Sequence, residues 1–155
     1  MIKLAFKAAK EGFFDREKVV NAMDKASVKV LSKFGAFVRT RARSSMRRTK
    51  KTSLPGNPPS AHVGFIKTMM FFSYDKARKS VVIGPTLINR STNAQEILEY
   101  GGDTILEGYT FTTRDGKRTH EKTTKRIKIK KRPYMKPAFE AEKQKLAAMW
   151  ANSVR

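Results

Sequence analysis

Glu96 and Glu99 lie three residues apart in a stretch that reads as a short helix, so both carboxylates share one face. Paired carboxylates suit general acid–base work when a nucleophile or a histidine stands beside them. No such group accompanies this pair in the sequence. The two histidines, His62 and His120, fall in a proline-rich loop and in a basic arm, without metal-ligand spacing to other candidates. Serine is plentiful, yet no nucleophile elbow or triad can be assembled, and Gly101-Gly102 lacks the flanking pattern of a phosphate-binding loop. The absence of cysteine removes disulfides, thiolate chemistry and cysteine-based metal sites together, and fits a reducing compartment. These residues predict no enzyme, no cofactor and no metal.

Positive charge is the stronger signal. Lysine and arginine number 34 against 13 acids, a net charge of +21. Such a field implies a polyanionic environment, an acidic protein partner or a membrane surface. Two segments concentrate it. RTRARSSMRRTKK, over 39–51, has seven basic residues and no acid, with Arg39, Arg41, Arg43, Arg47 and Arg48 as candidate partner-facing cations. Arginine suits bidentate pairing with carboxylate or phosphate, although the same residues also read as a solvated helix end. No aromatic residue interleaves here, so stacking on single-stranded bases is not supported. The second segment, 114–136, gathers eleven basic residues, among them the candidates Lys128, Lys130, Lys131 and Arg132.

The elements that must position these residues are legible in outline. At 155 residues with 39% apolar content, the chain is sized for one domain with a modest core. No stretch approaches a membrane span, and the lysines at 3, 7 and 10 break up any signal-peptide pattern, as in a soluble protein made in a cytoplasm. Residues 1–12 suit a first strand or a short amphipathic turn. Asp15 is an N-cap candidate, with Glu17 in the first turn. Val19, Met23, Ala26, Val30, Phe34, Phe37 and Arg41, widened by Leu31 and Val38, then follow helical spacing and predict one helix over about 16–47. SLPGNPPSAHVG, over 53–64, ends all regular structure. Three prolines each lock φ and remove a donor, and Gly56-Asn57 supplies a turn.

After that loop, residues 65–72 suggest a helical turn leading into a buried strand, with a turn at Asp75 and a second strand, SVVI, stopped by Gly84-Pro85. Residues 86–93 are loop-like, and the short helix ending in Gly101-Gly102 follows. An alternating run from 104 and a turn at Arg114-Asp115-Gly116-Lys117 predict a projecting basic β-hairpin arm over 104–131. Pro133 ends the arm. A last helix over about 136–153 has the stripe Phe139, Leu146, Met149 and Trp150, with Trp150 expected in the core or a subunit interface. The class is α+β: a long N-terminal helix and a C-terminal helix packed on a small antiparallel sheet, with the arm projecting.

Four features occur in a telling order: RTRARSSMRR, PGNPPSAHVG, the strand closing in VVIGP, and EILEYGG followed by KRPYMKPAFE. Together they resemble the tail-component family of tailed bacteriophages and prophages, proteins of the neck or tail-completion type. The resemblance covers roughly residues 30–155, with an arm longer than the family pattern requires. It implies a small α+β subunit of the virion, without a catalytic site, that assembles with itself into a ring joining head and tail. Implied partners are further copies, adjacent neck and tail proteins, and DNA passing through the lumen, with no membrane and no small-molecule substrate. Pro55, Gly56, Pro58, Pro59 and Gly64 would then form an exposed, semi-rigid assembly loop against a neighbouring subunit. A non-specific DNA-binding module is the alternative, although no helix-turn-helix, zinc finger or RNA-recognition motif supports it.

Overall fold

Helix α1 (Arg16–Ser45) is the spine of the structure, a computed structural model that describes residues 15–62, 64–86, 93–114, 117–151 and 153. The reading of residues 1–12 therefore lies outside the described residues, as do most of 86–93 and the turn at Asp115-Gly116. The helix begins as predicted. Asp15 caps it, its carboxylate accepting from Lys18 N at 3.1 Å, and Glu17 lies in the first turn. Thirty residues give a rod of about 45 Å. It stops at Ser45, and Met46 is already extended at φ −83°, ψ 117°, so Arg47 lies beyond the helix rather than in its last turn.

The buried stripe is narrower than the sequence suggests. Ala26, Val30, Phe34, Val38, Ala42 and Met46 follow one another at every fourth position and are all buried. Val19, Met23 and Phe37, expected on the stripe, are exposed, and Arg41 is turned outward to an ion pair. Among the described residues, buried packing against α1 starts at Ala26 and runs over its C-terminal two thirds; periodicity alone does not reveal where a neighbour begins.

The neighbours are a hairpin and the C-terminal helices. The four-residue helix α2 (Phe65–Thr68) leads into β1 (Met70–Asp75), which pairs antiparallel with β2 (Ser80–Pro85) from Met70↔Pro85 to Asp75↔Ser80. The ladder runs through Gly84 and Pro85 instead of stopping before them. At the turn, the Asp75 carboxylate accepts from Ala77 N and Arg78 N at 2.9 and 3.2 Å. Gly35 lets this hairpin close on α1: a Cβ there would stand 2.8 Å from Val81 Cγ2 and 2.9 Å from Phe72 Cδ2.

Helix α3 (Ala94–Tyr100) ends where Gly101 N donates to Ile97 O at 2.8 Å. The predicted arm follows as a ribbon of β3 (Gly102–Arg114) and β4 (Lys117–Ile129), in register from Gly102↔Ile129 to Arg114↔Lys117. Thirteen residues per strand reach roughly 40 Å. The antiparallel structure is thus two separate two-stranded ladders, one lying on α1 and one joined to the body at its base through α3. Register also sets Ile105, paired with Arg126, on the opposite face from Ile127 and Ile129, so the ribbon's apolar residues do not build one buried side.

The expected C-terminal helix is two helices. α4 (Met135–Lys143) and α5 (Leu146–Trp150) are separated at Gln144-Lys145, where Lys145 N donates back to Glu142 O at 2.9 Å. Neither glycine nor proline marks this tighter turn in the sequence. Phe139 meets Phe34 edge to face, ring centroids 5.7 Å apart, while Trp150 is 37% exposed and stands outside the buried core. That core joins Phe34, Val38, Ala42 and Met46 to Ala61, Met70, Tyr134 and Ala138. Ile66, Val81, Ile83, Leu98, Leu146 and Met149, from α2, β2, α3 and α5, pack against it half-buried. The α+β architecture stands.

Candidate functional site

The carboxylate pair separates. Glu96 is exposed, whereas Glu99 is buried against the start of α4. Its Oε2 accepts from Tyr134 N at 2.9 Å and Met135 N at 3.0 Å, and its Oε1 accepts from Lys136 N at 2.8 Å. These are donors that the first turn of a helix leaves without intrahelical partners, and a negative charge there is favoured. Glu99 is therefore a cap supplied from another element, with its lone pairs committed to holding α3 against α4. Burial, and then the nearby Glu99 charge, push the Tyr134 phenol up to about 12.

Three of the nine candidate partner-facing cations are engaged within the chain. Arg39 Nε donates to Met70 O at 2.7 Å and its guanidinium lies 5.9 Å from the Phe71 ring centre. Arg41 pairs with the buried Glu142, which also accepts from Lys145 Nζ at 3.1 Å; the Arg41 hydrogen bond is the largest influence holding the Glu142 carboxyl below its usual range. Arg132 Nε donates to Ser53 O at 3.0 Å, and its backbone N donates to Leu98 O at 2.6 Å. These arginines fasten elements together. Arg43 is half-buried, and Arg47, Arg48, Lys128, Lys130 and Lys131 are exposed without an ion pair among the described residues.

The proline loop is tied to two of these cations, Arg47 and Lys131, through their backbone. Leu54-Pro55-Gly56-Asn57 is a type II turn, with Asn57 N donating to Leu54 O at 3.2 Å and Gly56 at φ +86°, where a side chain would be strained. Gly56 N donates to Lys131 O at 2.9 Å, and five residues on Ala61 N donates to Arg47 O at 3.0 Å. The loop is thereby stitched to the ribbon base at one point and to the end of α1 at the other. Expected to be exposed throughout, it is not. Pro55, Gly56 and Leu54, the last 73% exposed, stand out, Pro58 is half-covered, and Pro59 and Ala61 are buried. Gly64, at φ +80°, starts α2 by accepting from Lys67 N at 3.0 Å. Burial of the loop's second half follows from Ala61, whose small side chain enters the core beside Met46 and Met70.

A cleft of about 370 Å³ lies between this loop and α3, lined chiefly by Pro59, Ala61, Ile66 and Leu98 with Ser53 and Arg132 at its polar side. His62 borders it, and His120 sits far along β4 opposite Phe111, so the two histidines are on different elements. Among the described residues, no three histidine, aspartate or glutamate side chains are grouped to hold a metal ion. What the arrangement offers chemically is a cationic surface on a firmly tied loop. The roles of Glu99 and Glu142 are what sequence reasoning missed. The one available signal was Glu142 three residues before Lys145, since the donors to Glu99 lie 35 to 37 positions away. No protein-family model, no curated protein and no solved structure matches this chain.

Proposed function

We propose that the chain is a structural subunit of a tailed-bacteriophage or prophage particle, of the neck or tail-completion type, which assembles with copies of itself into a ring between head and tail. One observation supports this reading above the rest. The motif stretches behind the resemblance other than VVIGP, far apart in sequence, are hydrogen-bonded around a single joint. The helix-end motif holds the loop motif through Arg47 O and Ala61 N, and the loop holds the last motif through Ser53 O and Arg132 Nε. EILEYGG then holds the same last motif through Glu99 and Leu98 O. A subunit built on one such joint can present a loop tip and a long ribbon to different neighbours. A head-to-tail ring needs that, because its contact is heterologous and two unlike surfaces of one subunit must match.

The reading is tested on the full chain, alone and mixed with an adjacent neck or tail protein. Native mass spectrometry or negative-stain imaging is expected to give one discrete closed multimer. A strictly monomeric protein that is also missing from purified particles overturns the proposal.

A further inference from the structure

The two basic segments, some 80 positions apart in sequence, flank one loop in space. Arg47 and Lys131 are both hydrogen-bonded to it through backbone carbonyls, at residues 61 and 56. Five residues of chain span at most about 18 Å, which bounds the distance between the two attachment points. On one side stand Arg47, Arg48, Lys50 and Lys51; on the other stand Lys128, Lys130 and Lys131, every one of them exposed. No acid occurs in sequence between Asp24 and Asp75 or between Glu121 and Glu140, and the acid set nearest these cations by the ladder is Asp103, opposite Lys128. Thr49 and Thr52 add exposed hydroxyls between the cations.

We propose that this saddle binds the phosphate backbone of duplex DNA, independently of base sequence and whether or not the chain forms a ring. A protein partner is the poorer fit. Protein interfaces bury an apolar centre and are depleted in lysine and serine, whereas five of the seven cations here are lysines and the exposed apolar side chains of the loop tip are Leu54 and Pro55. Lysine, arginine and threonine are the side chains that contact phosphates. Duplex DNA carries one negative charge per about 1.7 Å of axis, a density that lets several closely spaced cations act at once. Arg132, which ties the ribbon base to the loop through Ser53 O, does so without using these cations.

The test measures binding of a fluorescein-labelled 20-base-pair duplex of arbitrary sequence by anisotropy, from 50 to 200 mM salt. Seven phosphate contacts predict a log–log salt slope of about −6. Replacing Arg47, Arg48, Lys128 and Lys130 with glutamine should make that slope shallower by about 3.6 and weaken binding up to about a thousandfold at 0.15 M salt. A control replacing Lys25, Lys29, Lys76 and Lys143, which removes the same charge elsewhere, should leave the slope nearly unchanged. Protection of Lys128, Lys130 and Lys131 from acetylation by the duplex, without protection of Lys25, gives the same answer on the unaltered chain. The proposal is overturned by no binding at 50 mM salt, by equal losses in both variants, or by displacement of the duplex by polyglutamate at equal charge, which would point to an acidic protein. Each of these can occur with a ring present, so it fails separately from the assembly reading.

Discussion

At the scale of single residues, Glu99 does the most. One buried carboxylate takes three backbone N–H groups from a segment that returns only after the whole ribbon, so it closes the loop of chain between α3 and α4. Hydrogen bonds to a charged group contribute about 1.5–3 kcal/mol, and a donor left without a partner in a buried site costs comparably. Glu99→Ala is therefore expected to destabilise the fold by about 3 kcal/mol, and Glu99→Gln, which retains one carbonyl acceptor, by about half that. Urea unfolding reads this as a lower midpoint at unchanged slope. A Glu99→Ala midpoint equal to that of the unaltered protein would show that the cap is dispensable. The sequence displayed the carboxylate and its helix but not its use. Helical spacing reports which residues share a face, and says nothing about donors some 35 positions away.

Elements were legible where local chemistry decides them and illegible where packing does. Asp15, the three prolines, Gly56-Asn57 and Gly101 each act within a few residues, and the boundaries they set are where the sequence places them. The split between α4 and α5, the exposure of Met23 and the anchoring of the proline loop depend on distant partners, and none could be read locally. Gly35 is a further case. In the middle of a helix it costs roughly 0.5–1 kcal/mol relative to alanine, and nothing in the local sequence says why it stands there. Val81 and Phe72 occupy the space its missing side chain leaves. Gly35→Ala gains the helix propensity but must push the β1–β2 hairpin outward, and overpacking typically costs 1–3 kcal/mol, so a net loss of about 1 kcal/mol is expected. Thermal unfolding of the variant checks it. A variant more stable than the parent would mean that the hairpin yields without cost and that α1 does not fix its position.

For the whole molecule, the decisive quantity is charge, and it was fully legible: 34 basic residues against 13 acids leave at least 21 cations without a neutralising partner inside the chain. What the sequence did not reveal is which cations are used internally and which converge, since that follows from the fold. Two opposing effects of salt act on such a molecule. Exposed ion pairs such as Lys18–Asp15 at 3.1 Å and Lys79–Asp24 at 2.6 Å weaken as salt screens them, but each is worth little at the surface. Self-repulsion among the unpaired cations weakens too, and it involves far more charges at distances comparable to the screening length of about 10 Å at 0.1 M. Folding brings these cations closer than they stand in the unfolded chain, so screening favours the folded state. The second effect should win. Raising sodium chloride from 20 to 500 mM is expected to increase the melting temperature, by about 2–4 °C for each kcal/mol of repulsion relieved. A polyanion at low salt should raise it further by binding the folded state, and that increment should vanish at 500 mM as the bound anion is released. A melting temperature that falls with sodium chloride would show instead that ion pairs outweigh repulsion, and that the cationic surface is already neutralised within the fold.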